Sequence, residues 1–506
     1  MSVLRAAAIF SDNMVLQKGR PIKVWGYDRS GKTVRVDLDG TYTECTCVKN
    51  RWCAVLPPQE TYRKGLVMTI TDGDDTITFT DVCIGEVWIA GGQSNMELEL
   101  QNEKNGAEEL KNCSSSDVRF YYTKKNPYID EFFYIDERDN CWHTADSENA
   151  RYWSAVGYYF GKEIAAKMGV TVGIIGCNWG GTSASAWTDT ERLRADCDTK
   201  SYVIELEDAM AGKTEEEYLR ELDEYNEYVA QWQPKINEFY AKNPNGTWEE
   251  AQAFAGEARY PEPLGTHSPF RAGGLYETML KRIAPYTVRG CIYYQGESDD
   301  HKPFIYEKLL TMMIDNWREL WDDRLMPFIF VQLPMHRWVG DDDTKNWCLI
   351  REAQMNVYRK LRNTGLAVAL DCGEFNNIHP ADKTVVAHRL ALQALYMVYG
   401  KVDKNTACAP MLTGCQYGKD KVTAYFENVG DGWKCTSPVN DDFEIAGSDG
   451  IFHKADEVEL SDGKIIISSE KVSCPTAVRY QWTNYAEVRL FGSNGLPLAP
   501  FRHQIK

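Results

Sequence analysis

From about residue 82 onward, short apolar runs of strand length alternate with longer segments that carry apolar residues at helical spacing. The apolar runs are Val87–Ala90, Val172–Gly176, Gly290–Tyr294, Phe328–Leu333 and Leu366–Asp371. The helical segments are Ala155–Lys167, Tyr306–Leu320, Leu349–Arg362 and Val385–Val398. Apolar strands that alternate with helices are typical of parallel sheets that are buried on both faces. The alternation therefore predicts an α/β fold, with a doubly wound parallel sheet as its core.

The stretches before and after this alternation are rich in valine, threonine and aromatic residues, with turns at glycine and aspartate. This composition predicts β-sandwich-like modules at residues 1–80 and 403–506. Residues 193–260 are highly charged and helically periodic without a buried strand, which predicts a helical insertion. The chain is thus expected to divide into an N-terminal β domain at 1–80, a central α/β domain at 81–402 that carries the insertion, and a C-terminal β domain at 403–506.

The 506-residue chain has 56 lysines and arginines against 74 aspartates and glutamates, a formal net charge of -18. Nucleic acids and anionic membrane surfaces both attract a surplus of basic residues, so this charge argues against both as partners. The apolar runs are also far too short to span a bilayer. A short apolar stretch near the N-terminus is interrupted at Ser11-Asp12-Asn13, which argues against a signal peptide.

Fifteen cysteines are scattered along the chain, and no pair has the two-residue spacing that is typical of a metal site. An odd number of scattered cysteines favours free thiols in a reducing compartment. We therefore expect a cytoplasmic protein that needs no metal and no other cofactor.

The strongest local signal follows the first apolar strand of the central part. This strand ends in two glycines, and Gln93-Ser94-Asn95 then opens a predicted helix. Ligands of open α/β sheets bind beyond the carboxyl ends of the strands, and a helix N-terminus there stabilises a developing oxyanion. Ser94 is therefore a candidate nucleophile. The segment alone leaves open the alternative that Ser94 is only a helix N-cap.

Two further strands end in turns with polar or small residues. Gly180 lies in the turn after residues 172–176, where a glycine lets the backbone approach a ligand and present its amide. Gln295 and Glu297 follow residues 290–294. The Gln295 side chain is a candidate donor to an oxyanion, and Glu297 is interpreted as a structural carboxylate that holds backbone amides.

The fourth segment contains His379, which lies in a loop directly before a proline and after the last predicted strand. A residue before proline is held outside a helix. The other seven histidines, His336 and His388 among them, are interpreted as inert. Because all four segments follow parallel strands, they are expected to meet at one edge of the sheet. A serine, amide donors and a histidine are the parts that acyl transfer requires.

These segments resemble the sequence blocks of SGNH-type hydrolases, and most closely those of the sialate O-acetylesterase-like carbohydrate esterases. The matching motifs are Gly-Gln-Ser-Asn-Met at 92–96, Trp-Gly-Gly-Thr at 179–182, Tyr-Gln-Gly-Glu-Ser-Asp at 294–299 and Ile-His-Pro-Ala-Asp-Lys at 378–383. Residues 10–17 and 495–502 are similar to the opening and closing segments of that family. The resemblance implies an SGNH-type parallel sheet core and a serine esterase that acts on O-acetylated sugars.

The resemblance also implies roles for individual residues. Ser94 is the expected nucleophile and His379 its base, while the Ser94 amide, the Gly180 amide and the Gln295 side chain are expected to form the oxyanion hole. The further candidate oxyanion or substrate-binding residues are Gln93, Trp179 and Glu297.

The acid of the triad is where the chain departs from this pattern. The wider superfamily has an aspartate three residues before the histidine, but this chain has Asn376 there. An amide cannot stabilise an imidazolium as a carboxylate does. Glu374 is the predicted acid, and Asp371 or a dyad of Ser94 and His379 with a backbone carbonyl partner are the alternatives.

The expected function is hydrolysis of O-acetyl esters on carbohydrates, with O-acetylated sialic acid as the first substrate. One alternative is an acetyl esterase that acts on xylan or mannan oligosaccharides. The alternative from another class is a degenerate, non-catalytic carbohydrate-binding protein. A small acetylated sugar or oligosaccharide is thus the expected partner, and the oligomeric state stays open.

Overall fold

The structure is a computed structural model, and it describes residues 4–115, 117–130, 133, 140–243 and 246–505. The first strands are β1 (Arg5–Ala6), β2 (Val15–Gln17), β3 (Ile22–Tyr27), β4 (Thr33–Leu38), β5 (Thr41–Thr46), β6 (Arg51–Leu56), β7 (Arg63–Thr71) and β8 (Thr76–Gly92). Strands β1, β3 and β6 form one antiparallel sheet. Strands β4, β5 and β7 form a second group, which joins β8 through β7. Valine, threonine and aromatic residues suit these half-buried strands.

Strand β8 is 17 residues long and connects the N-terminal strands to the centre of the molecule. It pairs antiparallel with β7, and from residue 82 onward every residue of the strand is buried. The predicted boundary between residues 80 and 81 falls inside this strand. The N-terminal strands also share one hydrophobic core with the central part. The division of the chain into separate domains stays a prediction.

The central sheet is completed by β9 (Val118–Tyr122), β10 (Trp142–Thr144), β11 (Val172–Asn178), β12 (Gly290–Tyr294), β13 (Phe328–Gln332) and β14 (Thr364–Val368). Its strand order is β10-β9-β11-β8-β12-β13-β14, and all of these pairs are parallel except β10 with β9. The predicted α/β class is confirmed. The sequence pattern did not indicate β9 or β10, because Arg119 and His143 interrupt their short apolar runs.

Helices cover both faces of the central sheet. Helices Ala155–Met168 and Thr384–Met397 contact each other, and helices Tyr306–Leu320 and Asn346–Lys360 form a second contacting pair. Trp88 of β8 packs against Phe160 of the first pair, whereas a side chain at Gly91 would meet Trp317 of the second pair. Residues three apart on a strand point to opposite faces, so the two pairs sandwich the sheet. The shorter helices outside the insertion are Ser94–Glu97, Gly106–Asn112, Ser147–Ala150, Lys281–Ile283 and Lys404–Ala407.

The predicted insertion is helical in the structure. Its helices are Thr190–Ala195, Lys200–Met210, Glu215–Lys242 and Trp248–Ala255. Capping boxes at Thr214 and Thr247 start the last two helices, which pack on each other around a small core of their own. Across the described residues, no helix combines the length and the apolar character that crossing a membrane requires.

The C-terminal part is built of strands alone after residue 410, apart from one short turn of helix at Asn440–Asp442. The strands are β15 (Met411–Tyr417), β16 (Lys421–Glu427), β17 (Trp433–Cys435), β18 (Phe443–Ala446), β19 (Phe452–Lys454), β20 (Glu457–Ser461), β21 (Lys464–Ser468), β22 (Ala477–Tyr480), β23 (Leu490–Gly492) and β24 (Phe501–Gln504). Two four-stranded sheets, β15-β16-β21-β20 and β19-β18-β22-β24, enclose a separate hydrophobic core. Two sheets around one core make a sandwich-like module.

Candidate active site

Three strands of the central sheet end side by side. Gly92 at the end of β8 lies opposite Asn178 of β11 on one side and opposite Tyr294 of β12 on the other. The chain leaves β8 to build β9 and β11 on one side, and later returns to build β12 on the other. This reversal of strand order is the topological switch point at which open α/β sheets bind their ligands.

Gly92 makes the turn at this point possible. Its φ angle is 134°, and a Cβ atom placed on it would lie 2.1 Å from the carbonyl oxygen of Tyr294, so only glycine fits. The chain turns abruptly here, and the short helix Ser94–Glu97 begins two residues later. Gln93 occupies the N-cap position of this helix. Ser94 is therefore not the N-cap, and its side chain is free for another role.

The structure brings the predicted nucleophile and base together. Ser94 Oγ lies 2.8 Å from His379 Nε2, although the two residues are 285 positions apart in the chain. The loop that carries His379 follows β14, and Asn377 Oδ1 accepts a hydrogen bond from the backbone amide of His379 at 3.0 Å. The hydroxyl and the ring nitrogen thus have the contact that proton transfer from a serine nucleophile requires.

The surroundings of His379 favour the neutral imidazole. Burial lowers the pKa of its ring below the ordinary value, and the positive charge of Lys383 and the neighbouring His336 lower it further. The carboxylate of Glu97 acts in the opposite direction and raises that pKa. The net shift is downward, so the ring can accept a proton near neutral pH.

Two backbone amides face the region around Ser94. The Gly180 amide donates a hydrogen bond to the carboxylate of Glu97, and Lys125 pairs with the other oxygen of that carboxylate. A Cβ atom on Gly180 would lie 3.4 Å from the Cβ of Ser94, so this amide adjoins the serine. The Ser94 amide belongs to the first residue of its helix, and its N–H has no hydrogen-bond acceptor within the described part of the chain.

Gln295 is not placed as the sequence predicted. Its Nε2 donates to the carbonyl of Thr182 at 3.2 Å and to Asp299 Oδ2 at 2.6 Å, while Tyr306 donates to its Oε1 at 3.0 Å. Both amide hydrogens are therefore engaged, and the side chain is only 1% exposed. A buried carboxylate such as Asp299 needs strong donors, which explains why the amide turns inward instead of toward an oxyanion.

The structural carboxylate that holds the backbone is Asp299, whereas the sequence indicated Glu297. Asp299 accepts from the backbone amide of Ala184 at 3.0 Å and from the hydroxyls of Ser183 and Tyr202 at 2.6 and 2.8 Å. Glu297 is also buried, but its Oε1 instead accepts from the side chain of Asn95 at 2.7 Å. Asp299 thereby fixes the turn that follows β11.

Gln93 and Trp179, which the sequence grouped with the site, both lie beside Ser94 and hold its surroundings together. Gln93 Oε1 accepts from the backbone amides of Gly296 and Ser298 at 3.4 and 3.2 Å, which ties the turn after β8 to the turn after β12. The Trp179 amide donates to the carbonyl of Gly92 at 3.1 Å. The Trp179 ring is half-buried beneath the ammonium group of Lys125, 5.7 Å from its centroid.

The predicted acid does not reach the histidine. Glu374 is exposed, and its Oε2 accepts from Asn377 Nδ2 at 2.8 Å, so it braces the loop and not the ring. Asp371, the alternative acid, pairs with Arg389 at 2.8 Å. Over the described ranges, no carboxylate and no backbone carbonyl hydrogen-bonds the His379 imidazole. The geometry is that of a Ser-His dyad.

Three residues near the site have contacts that the sequence reasoning did not assign. Glu97 stands one helical turn after Ser94, a spacing that places both side chains on one helix face. Asn95 and Lys383 lie inside the matching motifs, so their position was visible, but their role depends on contacts between segments far apart in sequence. Lys383 Nζ donates to Asn95 Oδ1 at 2.6 Å.

One group of side chains in the described residues has its ligand atoms close enough to hold a metal ion: Asp196, Cys197 and Asp198. It lies in the insertion, and Lys308 Nζ pairs with both carboxylates, at 3.1 Å from Asp196 Oδ2. An ammonium group already supplies the positive charge there. The expectation that the protein needs no metal stays a prediction.

Comparisons with known proteins find similarity to carbohydrate esterases. Residues 264–395 match the family described as "Carbohydrate esterase, sialic acid-specific acetylesterase". The chain is 28% identical over 430 residues to the sialate O-acetylesterase of Mus musculus, which covers 78% of this chain and 74% of the mouse protein. The human sialate O-acetylesterase is 27% identical over 430 residues, with 78% of this chain and 71% of the human protein covered.

A solved structure is similar over the whole length. The carbohydrate acetylesterase of Xanthomonas citri superposes with a TM-score of 0.78 at 25% sequence identity, and the match covers 99% of this chain and 100% of that protein. The central sheet and the flanking β modules thus belong to one shared fold. The chain is thus similar in sequence to sialate O-acetylesterases and in fold to a carbohydrate acetylesterase, and these similarities indicate a carboxylic ester hydrolase.

Proposed function

We propose that the protein removes O-acetyl groups from sugars through an acetyl-enzyme intermediate on Ser94. The observation that carries this proposal is the 2.8 Å contact between Ser94 Oγ and His379 Nε2 at the switch point of the sheet. Intact catalytic geometry also argues against the alternative of a degenerate carbohydrate-binding protein.

In the proposed reaction His379 Nε2 accepts the proton of Ser94 as Oγ attacks the acetyl carbonyl carbon. The tetrahedral intermediate collapses when the bond to the sugar oxygen breaks, and the imidazolium returns the proton to that oxygen. Water then attacks the acetyl-enzyme by the same route, which releases acetate and restores Ser94. The chemistry needs only a base, a nucleophile and donors for the oxyanion.

The Ser94 and Gly180 amides are the proposed oxyanion donors. The Glu97 carboxylate already rests against the Gly180 amide, which shows that an anionic oxygen can be accommodated there. We propose that the acetyl carbonyl oxygen takes this position when substrate binds and that Glu97 moves aside with Lys125. Gln295 has no part in this arrangement, because its amide hydrogens are engaged elsewhere.

A cavity of about 600 Å³ beside Glu97 supports a sugar as the group that carries the ester. Its walls combine aromatic rings, which stack on the apolar faces of sugar rings, with polar side chains that bind hydroxyl groups. The lining residues are Glu97, Glu99, Tyr122, Thr123, Lys124, Lys125, Asn140, His143, Glu148, Asn149, Tyr152 and Trp153.

O-acetylated sialic acid is the first proposed substrate, because the similar mammalian proteins are sialate O-acetylesterases. Acetylated xylan or mannan oligosaccharides are the second, because the similar Xanthomonas citri protein is a carbohydrate acetylesterase. We expect acetate release, measured by mass spectrometry, from acetylated sialosides or from hemicellulose oligosaccharides, with little hydrolysis of octanoate esters. A preference for octanoate, or no hydrolysis of any acetylated sugar, would contradict the proposal.

The carboxylate of Glu374 tests the proposed dyad. Because it contacts Asn377 and not the imidazole, Glu374→Gln is expected to change turnover by less than about threefold, as for an exposed substitution. Glutamine keeps an oxygen that can accept the Asn377 hydrogen bond. Turnover of p-nitrophenyl acetate at saturating substrate measures the effect. A loss of about 10²-fold or more would return Glu374 to the triad.

We further propose that the protein works in the cytoplasm. The fifteen cysteines are thiols and not disulfides, as is usual for proteins of a reducing compartment.

A further inference from the structure

A buried lysine is hydrogen-bonded to the residue that follows Ser94. Lys383 is 1% exposed and immediately precedes helix Thr384–Met397, four residues after His379. Its Nζ donates to Asn95 Oδ1 at 2.6 Å, and Asn95 itself has no exposed surface. Removing an ammonium group from water costs free energy, so a buried lysine is expected to have a structural or functional role that offsets this cost.

Both the nitrogen and the oxygen of the Asn95 side-chain amide are hydrogen-bonded in this network. Its Nδ2 donates to Glu297 Oε1 at 2.7 Å and to the carbonyl oxygen of Ile378 at 3.0 Å. An ammonium group only donates, whereas an ionised carboxylate only accepts. The amide oxygen must therefore face Lys383 and the amide nitrogen must face Glu297, so the two charges fix the orientation of the amide between them.

This single amide connects the two halves of the dyad. Asn95 follows Ser94 in the chain, and Ile378 precedes His379. The hydrogen bond between Asn95 and Ile378 thus joins the turn that carries the nucleophile to the loop that carries the base. Since no acid among the described residues contacts the imidazole from its other side, this connection through the loop backbone takes the place of the support that a triad acid gives the ring.

The buried positive charge of Lys383 and the buried negative charge of Glu297 stabilise each other. Burial lowers the pKa of Lys383 to about 8, while the negative charge of Glu297 opposes this shift. Burial also raises the pKa of Glu297, and its Oε2 is buried without a hydrogen bond in the described structure. The ring of Tyr294, 5.7 Å from Lys383 Nζ, adds a weaker attraction to the ammonium group. Removal of either charge would leave the other buried and unpaired.

We infer that Lys383 is a positioning residue that, through Asn95, sets the distance between Ser94 and His379. Its positive charge also favours the neutral form of the His379 imidazole, which is the form that accepts a proton. This inference rests on the proposed function, since it assigns a role within the dyad. The charged and titratable groups that act on His379 are Lys383, His336 and Glu97.

The test compares Lys383→Met with two matched variants. In Lys383→Met, loss of the positive charge is expected to raise the pKa of His379, so the acid limb of kcat/KM moves to higher pH. In Glu97→Gln, loss of the negative charge is expected to lower that pKa. Lys104→Met removes an exposed lysine that pairs with Asp382 at 3.3 Å, and should leave the pKa unchanged. NMR titration of the histidine ring, assigned with His379→Ala, measures all three.

Kinetics on p-nitrophenyl acetate give the second readout. Lys383→Met is expected to lower kcat by about 10–10²-fold with little change in KM, because misplacement of catalytic groups affects the chemical step. If this variant fails to fold, Lys383→Met with Glu297→Gln removes both buried charges and is expected to fold with the same shift in pKa. An unchanged or lower His379 pKa, or a kcat within threefold of wild type, would overturn the inference. Activity that survives in Ser94→Ala would instead refute the proposed function, while the NMR titration would still test the position of Lys383.

Discussion

Replacement of Ser94 by alanine is expected to lower turnover of acetyl esters by about 10⁶-fold, the loss that follows removal of a serine nucleophile. Ser94 Oγ makes one side-chain hydrogen bond in the described structure, to His379, and it is not the cap of its helix. The substitution removes one oxygen atom from a partly exposed position. Thermal unfolding should therefore be close to that of the wild type, whereas the proposed acetyl-enzyme should not form in the variant.

Steady-state rates with p-nitrophenyl acetate, and mass spectrometry of acid-quenched protein, measure these two effects. Ser115→Ala is a suitable control, because that hydroxyl is exposed and donates only to the carbonyl of Asn112 at 2.8 Å. A Ser94→Ala variant that keeps more than about a hundredth of the wild-type rate would exclude Ser94 as the nucleophile. An acetyl adduct on another residue would identify the correct one.

Replacement of His379 by alanine is expected to lower turnover nearly as much as the loss of Ser94. In His379→Ala the Ser94 hydroxyl has no acceptor for its proton, and turnover should fall on the order of 10⁶-fold, because nucleophile and base act as one unit. The remaining rate should increase with hydroxide concentration. Its pH profile should lack the acid limb that protonation of the His379 ring is expected to cause in the wild type. Added imidazole should restore part of the activity, since the ring leaves a space beside Ser94 Oγ.

Stopped-flow rates over a range of pH, with and without imidazole, check this expectation. His388→Gln is the matched control: that ring is exposed, pairs with Glu163 at 2.9 Å, and should change turnover by less than about twofold. If His379→Ala keeps the bell-shaped or sigmoidal pH profile of the wild type, another group is the base. His336, which lies close enough to shift the pKa of His379, would then be the next candidate.

Much of the fold was predictable because it follows from local patterns. Strands that are buried on both faces must be apolar throughout, and helices that cover a sheet must repeat their apolar residues at about every fourth position. Residues 290–294 and 306–320 show this, since predicted and observed bounds agree. The last two strands at one side of the central sheet were not predictable in this way, because Val118–Tyr122 and Trp142–Thr144 are short and include charged or polar residues.

The meeting of Ser94 and His379 was predictable, because each of the two residues follows a parallel strand. Parallel strands bring their carboxyl ends to one edge, so Ser94, Gly180 and His379 had to lie near each other once the strands were assigned. The roles of Gln295 and Glu374 could not be derived in the same way. Each carries a suitable chemical group at a suitable position, but the direction of a side chain depends on which buried partners compete for it.

The sequence by itself thus determined the α/β class, the strand ends that form the site, and the serine and histidine that meet there. Only the tertiary structure decided which polar groups those residues use. Asp299 accepts a hydrogen bond from the side-chain amide of Gln295, and the carboxylate of Glu374 accepts one from Asn377. Lys383 donates one to Asn95. The physical reason is that apolar burial follows a repeating pattern along the chain, whereas a buried polar group must find its partner wherever the folded chain provides one.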